Sequence, residues 1–524
     1  MRAYGCDVGC GFGTVSLLTD EGVDPVVLLP KSLPGGMPTS AFARRGGEIR
    51  VWNTERERHR HPAQTIHAVK KRLPEGTITL SDGRGSFSVE ADAAYTAVAR
   101  DLFALVEKEM KAGKRELVRD IVLTYPAGFA DFPVEEGQPS LLARMERCLK
   151  AVQMGGGPLR VVGMLPEPGA VALDYLYFMQ YQVEESRRLK SDHFTVLVYD
   201  LGHGTFDTAL VTARSVGEPY QLLEKSGLPD VGGQDFDRVL QNEILRQLRE
   251  TYQWQPSGEV QTEEVRGLAV AAKHALTDNE SYTGQLFPAG ECMEFTVTRA
   301  DFEKLSAHLL QETLLCAKSM LNWAEAQNVA VDHIVLSGGG SRMPMVKRAL
   351  EGLTEGKIPV ELYRPELAVS YGAARYAAGI VGEEEREPSC DAEAEHVEQH
   401  PNTVLEQLTS KGYGLRLPSQ RLEGEVRILI PAGVRLPYTS QSIRLRTGSG
   451  GLTLRVVCTR GEGCTGDSAA VEDCRELIRL SFTLSPDTEF QCTLHMDEKV
   501  GITAICTLPD GTAQSRGTHS SAGG

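Results

Sequence analysis

The chain has 524 residues, of which 41% are hydrophobic and 24% are charged, and its formal net charge is −16 at pH 7. At roughly 100–200 residues per domain, this length predicts several domains, and the composition is typical of a globular protein. The negative charge argues against a nucleic acid as the main partner, because phosphate backbones are bound by basic faces.

The sequence shows no targeting or membrane-spanning segment. The first residues lack an apolar signal core, and no stretch of the chain is apolar over the length that a membrane span requires. The 11 cysteines are scattered, which in a chain without a signal peptide favours reduced thiols in the cytoplasm. We therefore expect a cytoplasmic protein with no membrane partner and no nucleic-acid partner.

The first part of the chain alternates strand-like and helix-like segments. In chain order the predicted elements are a β-hairpin with a glycine-rich tip at 1–20, a helix at 91–112, a strand at 119–125, a helix at 140–154, a strand at 160–165 and a helix that begins at Glu167-Pro168. The helices are predicted from apolar residues at helical spacing, and the strands from short apolar runs that end at Gly or Pro.

The second part repeats this plan. Residues 194–213 form two apolar runs around a glycine-rich turn, as in the first hairpin, and this similarity suggests an internal duplication. Further predicted elements are helices at 235–251, 262–277 and 299–327, a strand over VDHIVLS, and helices at 344–353 and 367–381. We therefore predict one α/β region over residues 1–381, built from two related halves.

The composition then changes. Residues 382–409 are acidic and poor in large apolar residues, which predicts a solvated linker. Residues 410–512 contain short alternating strands separated by Gly and Pro turns, which predicts an all-β domain. Residues 513–524 predict a disordered tail.

Four segments predict a nucleotide site. In GCDVGCGFG, Asp7 ends a strand before Gly9, and in VYDLGHGTFD, Asp200 takes the same place in the second hairpin. Small residues at these turns let backbone N–H groups approach phosphate oxygens, and facing carboxylates suit Mg²⁺ and its waters. The turn SGGGSRMP would hold a purine nucleoside with Arg342 stacked on the base. Glu167 adds a carboxylate at a helix start near the same cleft.

Taken singly, each segment is weak evidence, because a glycine-rich hairpin is usually only a turn. Their order together resembles the heat shock protein 70 family of DnaK-like molecular chaperones, within the actin-like ATPase superfamily. The resemblance covers residues 1–380 clearly and residues 410–512 faintly. It is carried by Gly5-x-Asp7-x-Gly9, YDLGHGTFD, VGGQDFD (231–237), TRADFE (298–303), IVLSGGGSRMP and AVSYGAARYAA (368–378), and HPAQTIHAVKKRL (61–73) resembles the segment that bears the family's catalytic lysine.

The resemblance implies a fold, cofactors and residue roles. The fold is an actin-like ATPase domain with duplicated ribonuclease-H-like halves, followed by a small β-sandwich. The cofactors are ATP or ADP and Mg²⁺, with K⁺ as a further candidate ion, and the activity is slow ATP hydrolysis. The residues assigned to catalysis are Lys70, Glu167, Asp200 and Thr205, and those assigned to metal ions, mostly through water, are Asp7, Asp200 and Asp207. The residues assigned to nucleotide binding are Asp7, Gly9, Cys10, Gly11, Phe12, Gly202, His203, Gly204, Gly232, Gly233, Lys273, His274, Thr277, Gly338, Gly339, Gly340, Arg342 and Glu366.

Both hairpins depart from the family pattern. Cys10 and Gly11 stand where the family has two threonines, which removes two hydroxyl groups beside the phosphates. His203 replaces a glycine, and if this position has a positive φ, the histidine costs about 1 kcal/mol. These departures leave two functions open, a slow ATPase and an adaptor or switch that binds nucleotide with little hydrolysis. A small-molecule kinase of the same fold is a less favoured third reading.

The β domain resembles the family's peptide-binding module through ILIPAGVRLP and FQCTLHMDEKVGITAICTLPDGT. The resemblance implies unfolded or partner polypeptides as ligands, with J-domain proteins and nucleotide-exchange factors as candidate co-chaperones. An acidic stretch stands in place of the family's apolar linker, and we do not expect it to dock as an apolar strand. No helical lid follows the β domain within these 524 residues, so bound peptide should leave faster.

Overall fold

The computed structural model describes residues 3–19, 24–51, 55–130, 132, 138–181, 193–214, 218–384, 405–407, 409, 411–416, 425–448, 452–459, 468–497 and 501–518. Two α/β lobes and a carboxy-terminal β domain follow one another along the chain. The predicted fold class, an α/β actin-like domain followed by a separate β domain, is confirmed.

The first lobe is built on a six-stranded sheet. The strands of the whole lobe are β1 (Tyr4–Val8), β2 (Phe12–Leu17), β3 (Val26–Val27), β4 (Met37–Pro38), β5 (Ala41–Ala43), β6 (Ile49–Arg50), β7 (Thr65–Ile66), β8 (Thr77–Asp82), β9 (Gly85–Glu90), β10 (Asp120–Tyr125), β11 (Gln153–Met154), β12 (Gly157–Pro158) and β13 (Arg160–Pro166). Its helices are α1 (Glu55–Arg60), α2 (Ala91–Ala112), α3 (Leu141–Lys150) and α4 (Glu167–Tyr181), with 3₁₀ turns at Pro62–Gln64, Val69–Glu75 and Ala127–Phe129. The sheet order is β13-β10-β1-β2-β3, and β4 also pairs with β2.

Helix α3 is shorter than the predicted helix at 140–154. The Ser140 hydroxyl accepts a hydrogen bond from the Ala143 N–H and caps the helix start. Gly155 and Gly156 both have positive φ, so the chain turns there and forms the β11–β12 hairpin instead of a further helical turn.

The second lobe repeats the topology of the first. Its strands are β14 (Phe194–Leu201), β15 (Phe206–Ala213), β16 (Tyr220–Leu228), β17 (Ser281–Leu286), β18 (Met293–Thr298), β19 (His333–Ser337) and β20 (Val360–Leu362). Its helices are α5 (Gly233–Tyr252), α6 (Glu259–Asp278), α7 (Arg299–Leu305), α8 (Ala307–Ala326), α9 (Pro344–Leu353) and α10 (Ala368–Glu384), with 3₁₀ turns at Pro288–Gly290 and Gly339–Arg342. In each lobe an antiparallel hairpin, β1–β2 or β14–β15, has a parallel neighbour, β10 or β19, beside its first strand. The predicted duplication is therefore confirmed.

Two helices cross between the lobes, and each packs on the sheet of the other lobe. Helix α4 leaves the first lobe and packs on β14 and β15, whereas α10 leaves the second lobe and packs on β1, β2 and β10. A Cβ atom at Gly372 would lie 1.8 Å from the Ala170 carbonyl oxygen, so only glycine lets the two helices approach this closely. This crossing fixes the two hairpins opposite each other.

The β domain is a sandwich. Its strands are β22 (Tyr413–Arg416), β23 (Glu425–Ile430), β24 (Tyr438–Thr439), β25 (Ile443–Arg446), β26 (Leu452–Thr459), β27 (Ser468–Ala470), β28 (Cys474–Phe482), β29 (Glu489–Met496), β30 (Ile502–Thr507) and β31 (Ala513–Gly517), preceded by β21 (Leu405–Gln407) and with a 3₁₀ turn at Val471–Asp473. One sheet has the order β27-β23-β22-β26-β28, and the other has β24-β29-β30-β31 with β25 beside β29. Alternate residues of β29, from Phe490 to Met496, are buried in the core between the sheets.

The expectation that the linker does not dock as a strand is wrong for Leu405–Gln407. This strand, β21, pairs in parallel with Tyr220–Leu222 of β16 at the edge of the second-lobe sheet. Leu405 is 3% exposed and packs in the core that joins the lobes. The acidic composition of the segment masks the single apolar residue Leu405, which lies beside an open sheet edge. The main-chain N–H and C=O groups of that edge can pair with a further strand. Residues 385–404 and 408 of the predicted linker lie outside the described residues.

The prediction of a disordered tail from residue 513 is also wrong at its start. Residues 513–517 form β31, which pairs antiparallel with β30 along Thr503–Thr507. The polar composition of this stretch suits an edge strand, because only main-chain hydrogen bonds are required there. Residues 519–524 lie outside the described residues. Helix α10 extends to Glu384, beyond the predicted boundary at 381.

None of the helices that the structure describes is long and apolar enough to cross a membrane.

Candidate active site

A cleft of about 470 Å³ lies between the two lobes, at the tips of the two hairpins. The β1–β2 tip forms one wall and the β14–β15 tip forms the other, while the turn after β19 and helix α6 close the remaining sides. Because the hairpins are equivalent in the duplicated fold, Asp7 and Asp200 approach the cleft from equivalent positions near the ends of β1 and β14.

Lys70 lies beneath the carboxylates of the first lobe. Its Nζ atom donates to Glu167 Oε1 and to Asp7 Oδ1, the latter at 3.4 Å. Its side chain is 1% exposed, so burial and two acidic partners hold the ammonium in one place. The Thr124 hydroxyl donates to Asp7 Oδ1 at 3.0 Å and fixes that carboxylate from the other side.

The neighbouring lysine has a different environment. Lys71 Nζ lies 3.5 Å from Asp235 Oδ2, at the start of α5. A left-handed residue, Ala68 with φ 49°, precedes the 3₁₀ turn that carries both lysines and directs Lys70 alone to Glu167 and Asp7. The structure thus gives the two adjacent lysines different partners, and Lys70, the lysine that the resemblance assigns to catalysis, contacts Glu167 and Asp7.

The second hairpin contributes Asp200, Thr205 and Asp207. Asp200 and Asp207 are opposite each other in the β14–β15 register, and both are buried. Asp207 Oδ1 accepts a hydrogen bond from the Ala127 N–H at 2.7 Å, which links the second lobe to the 3₁₀ turn after β10. Asp200 and Thr205 line the cleft, whereas Asp207 lies below its surface.

The carboxyl groups of Asp7, Glu167, Asp200 and Asp207 lie around the ammonium group of Lys70. Burial, together with Glu167, Asp207 and Asp7, raises the pKa of Asp200 well above its ordinary value. Burial raises the pKa of Glu167 to about 8, although Lys70 opposes this shift. Burial raises the pKa of Asp207 to about 6, against the stabilising hydrogen bonds from Thr205 and Ala127.

The ammonium group of Lys70 faces these carboxyls. Burial by itself would lower the pKa of Lys70, but Glu167 and Asp7 outweigh burial and hold it well above its ordinary value. Carboxyl groups that resist ionisation in this way attract a cation, because a bound cation restores the charge balance.

The described residues contain no group of three or more His, Cys, Asp or Glu side chains placed to ligate a metal ion directly. Asp7 and Asp200 line the cleft with carboxylate oxygens, which are the atoms that Mg²⁺ and its bound waters prefer. These residues fit a magnesium ion that is held mainly through water, as the sequence predicts.

The far end of the cleft is formed by the turn after β19. Gly338 has φ 76°, and a Cβ atom there would lie 2.5 Å from Asp200 Oδ1, so a side chain at this position would displace the carboxylate. Arg342 Nε donates to Glu366 Oε1 at 2.9 Å. This ion pair holds the guanidinium at the rim of the cleft, where it can stack on a planar base.

Lys273 is less available than the resemblance implies. Its Nζ atom donates to the Gly233 carbonyl oxygen at 2.9 Å and lies 2.7 Å from Asp237 Oδ1. His274, on the same helix, lines the cleft beside it, and burial together with Lys273 lowers its pKa. Lys273 therefore ties α6 to the start of α5 as well as lining the cleft.

The structure brings together nearly all of the predicted site residues. Lys70, Asp207 and Gly232 do not line the cleft, and the other predicted residues do. The condition for strain at His203 is not met, because His203 is not among the non-glycine residues with positive φ in the described chain. Sequence reasoning missed the lining residues Thr14, Gly35, Asp278, Met343, Pro365 and Val369, of which Asp278, Met343 and Pro365 are direct neighbours of predicted positions in the chain.

The duplicated lobes, the crossed helices and the acidic cleft between paired hairpins define a protein with the actin-like ATPase fold. Residues 59–389 match the family model described as Hsp70 protein. The chain belongs to the Hsp70 family.

Named relatives agree with this family. The chain is 32% identical over 280 residues to a ribosome-associated molecular chaperone of Eremothecium gossypii, which covers 52% of this chain and 41% of the relative. A ribosome-associated molecular chaperone of Saccharomyces cerevisiae is 32% identical over 281 residues, with the same shares covered. The chaperone protein HscA homolog of Shewanella denitrificans is 27% identical over 447 residues, which covers 81% of this chain and 62% of the relative. The matched regions thus span about half the length of these curated relatives.

Proposed function

We propose that this chain binds ATP or ADP with Mg²⁺ in the interlobe cleft and hydrolyses ATP slowly. The observation that carries the proposal is the charge imbalance of the cleft, where Asp7, Glu167, Asp200 and Asp207 share the ammonium group of Lys70. Phosphoryl transfer depends mainly on positioning and charge neutralisation, and a bound Mg²⁺ would neutralise phosphate charge at this point. K⁺ is a second candidate ion.

Each buried group has a role in this proposal. Asp200 lines the cleft, so it is placed to orient the attacking water and, once ionised, to accept its proton. Lys70 and Glu167 form the buried pair that would fix the water and the terminal phosphate. The Thr205 hydroxyl would donate to that phosphate, while the glycine-rich tips offer backbone N–H groups.

A second function, nucleotide binding with little hydrolysis, is favoured by a specific observation. Cys10 and Gly11 leave the first tip without a hydroxyl group, and burial raises the pKa of the Cys10 thiol to about 12. This neutral thiol is a weak hydrogen-bond donor. The two functions differ only in turnover, so one sample can separate them.

The test is a nucleotide titration followed by a turnover measurement on the same preparation of the full chain. We expect saturable ATP binding in Mg²⁺ and slow phosphate release that disappears in Asp200→Asn. Binding without any turnover above the Asp200→Asn background would favour the switch or adaptor. Absence of binding would contradict both functions.

We further propose a chaperone role in which the β-sandwich binds unfolded or partner polypeptide, with J-domain and nucleotide-exchange proteins as candidate co-chaperones and the cytoplasm as the site of action. The relatives named as chaperones and the family membership support this role. The test is suppression of aggregation of a heat-denatured reporter enzyme by the full chain, with and without ATP. Serum albumin is the control protein. If the full chain suppresses aggregation no more than serum albumin does, the chaperone role is contradicted.

A further inference from the structure

The tips of the two hairpins interlock across the cleft. A Cβ atom at Gly11 would lie 2.9 Å from His203 Cβ and 3.0 Å from His203 Cγ. A Cβ atom at Gly204 would lie 2.8 Å from Cys10 Cβ and 2.9 Å from Cys10 Sγ. Each tip therefore presents one glycine and one side chain, and the side chain of each covers the glycine of the other.

The contact with His203 leaves no room for a side chain at position 11. Cβ atoms do not approach other heavy atoms within 3.0 Å without displacement, and the nearest atom met here is the Cβ of His203, whose position the backbone fixes. A threonine at position 11 would therefore occupy the space that the imidazole now fills. The absence of a side chain at Gly11 and the presence of one at His203 are two parts of a single arrangement.

The backbone of His203 is held rigidly. Its carbonyl oxygen accepts a hydrogen bond from the Gln234 N–H at 2.9 Å, and the Gly202 carbonyl oxygen accepts one from the Gly233 N–H at 2.8 Å. These bonds attach the tip to the first turn of α5. The ring therefore enters the cleft from an anchored position, without backbone strain.

The imidazole of His203 is a polar group that receives no hydrogen bond to its ring nitrogens from the described part of the chain. His203 lines the cleft and is half-buried. Burial, together with the nearby Lys273, lowers its pKa to about 4, with Asp237 acting in the opposite sense and Arg266 and His67 in the same sense as Lys273. At neutral pH the ring is uncharged, so one of its nitrogens is an N–H donor.

We infer that His203 supplies the side-chain donor for the terminal phosphate of ATP that the first hairpin lacks, and that Gly11 makes room for it. This inference rests on the proposed nucleotide-binding function. This additional phosphate donor is thus carried by the second lobe, as is the Thr205 hydroxyl. A donor at this place distinguishes a nucleoside triphosphate from a diphosphate, because the added phosphate provides the acceptor oxygens.

Calorimetric titration of ATP and ADP in Mg²⁺ tests the inference on full-length proteins. The set is wild type, His203→Gly, His203→Phe, Gly11→Thr and the double variant Gly11→Thr/His203→Gly. Phenylalanine keeps the ring volume and removes both nitrogens, which separates hydrogen bonding from packing. Thermal unfolding in EDTA checks that each variant folds, and His203→Leu takes the place of His203→Phe as the apolar variant if the latter does not fold.

We expect His203→Gly and His203→Phe to weaken ATP binding by about tenfold or more, as for the loss of a hydrogen bond to a charged group, with a much smaller change for ADP. Gly11→Thr alone should also weaken ATP binding, whereas in the His203→Gly background it should restore part of the lost affinity.

Three results would overturn the inference. The imidazole only fills space if His203→Phe keeps the wild-type preference for ATP over ADP. If Gly11→Thr changes ATP affinity equally in wild type and in His203→Gly, a side chain at position 11 does not take over the role of His203. If wild type binds neither nucleotide, the proposed function fails as well, which distinguishes that failure from the first two.

Discussion

Two charge clusters with buried members lie in the two-lobed domain, and they differ in charge balance. At the crossing of α4 and α10, Asp174 Oδ1 lies 2.7 Å from Arg375 Nε, and both side chains are fully buried. Asp24 lies 2.8 Å from Arg375 and 2.9 Å from Arg364. Two carboxylates and two guanidinium groups therefore match each other.

The cleft is not balanced in this way. Among the described residues, Lys70 is the cation that pairs with Asp7 and Glu167, and the pKa values of Glu167, Asp200 and Asp207 are raised. Burial also raises the pKa of Asp174, but the charge of the paired Arg375 is the largest influence that lowers this pKa. A balanced buried cluster joins structural elements, whereas the carboxyl groups of an unbalanced one are satisfied by retained protons or by a cation from outside.

The largest expected effect concerns the balanced cluster. Arg375→Ala leaves Asp174 buried without its closest partner, and we expect the free energy of unfolding to fall by about 3–5 kcal/mol. Arg246→Ala is the matched control, because Arg246 pairs with Glu243 and Glu250 on the surface, and such exposed pairs contribute little to stability. Urea denaturation of both variants measures the difference. Equal losses in the free energy of unfolding would show that the buried cluster contributes no more to stability than a surface ion pair.

The next effect concerns the buried lysine of the cleft. We expect Lys70→Ala to lower ATP turnover by about 100-fold, as for loss of a buried group that stabilises developing charge. Lys71→Ala is the control, because Lys71 faces Asp235 instead of the cleft carboxylates, and its turnover should stay close to wild type. Steady-state phosphate release checks both. A larger loss in Lys71→Ala would show that the adjacent lysine is the functional one.

A smaller effect is a pH dependence of stability. Glu167 has a folded-state pKa of about 8 and an ordinary value of 4.5, so the folded state retains a proton that the unfolded chain releases. The free energy of unfolding should therefore fall as pH rises between these values, by about 1–2 kcal/mol from pH 6 to pH 8.

In Glu167→Gln this part of the slope should be absent. Thermal unfolding in EDTA without nucleotide measures it, with the exposed Glu250→Gln as control. Parallel pH profiles for wild type and Glu167→Gln would show that Glu167 is ionised in the free protein. Added Mg²⁺ should reduce the slope in wild type, because the ion favours the ionised carboxylates.

Much of the fold could be predicted from the sequence. The paired hairpins, the long helices and the β domain have local signals, such as apolar periodicity and glycine-rich turns, that do not depend on distant partners. The strand Leu405–Gln407 was missed because its pairing depends on the edge of β16, far away in the chain. No local pattern of three residues can indicate such an edge.

The site was predicted by motif position but not in its contacts. Asp7 and Asp200 follow from the hairpin motifs and Lys70 from the resemblance, whereas the contacts of Lys70 with Glu167 and Asp7 depend on the packed lobe. The relation between Gly11 and His203 is a distance between two lobes. Sequence position shows that both residues are unusual, but only the packed hairpins show that each accommodates the other.

The central claim is that the unbalanced carboxylates of the cleft hold a nucleotide together with a divalent cation. The most direct measurement is calorimetric titration of ATP into the full chain in Mg²⁺ and again in EDTA. We predict saturable binding in Mg²⁺ and an affinity at least about tenfold weaker in EDTA, since without the cation the phosphates face Asp7, Glu167 and Asp200 directly. Equal affinity in both buffers, or no binding in Mg²⁺, would contradict the claim.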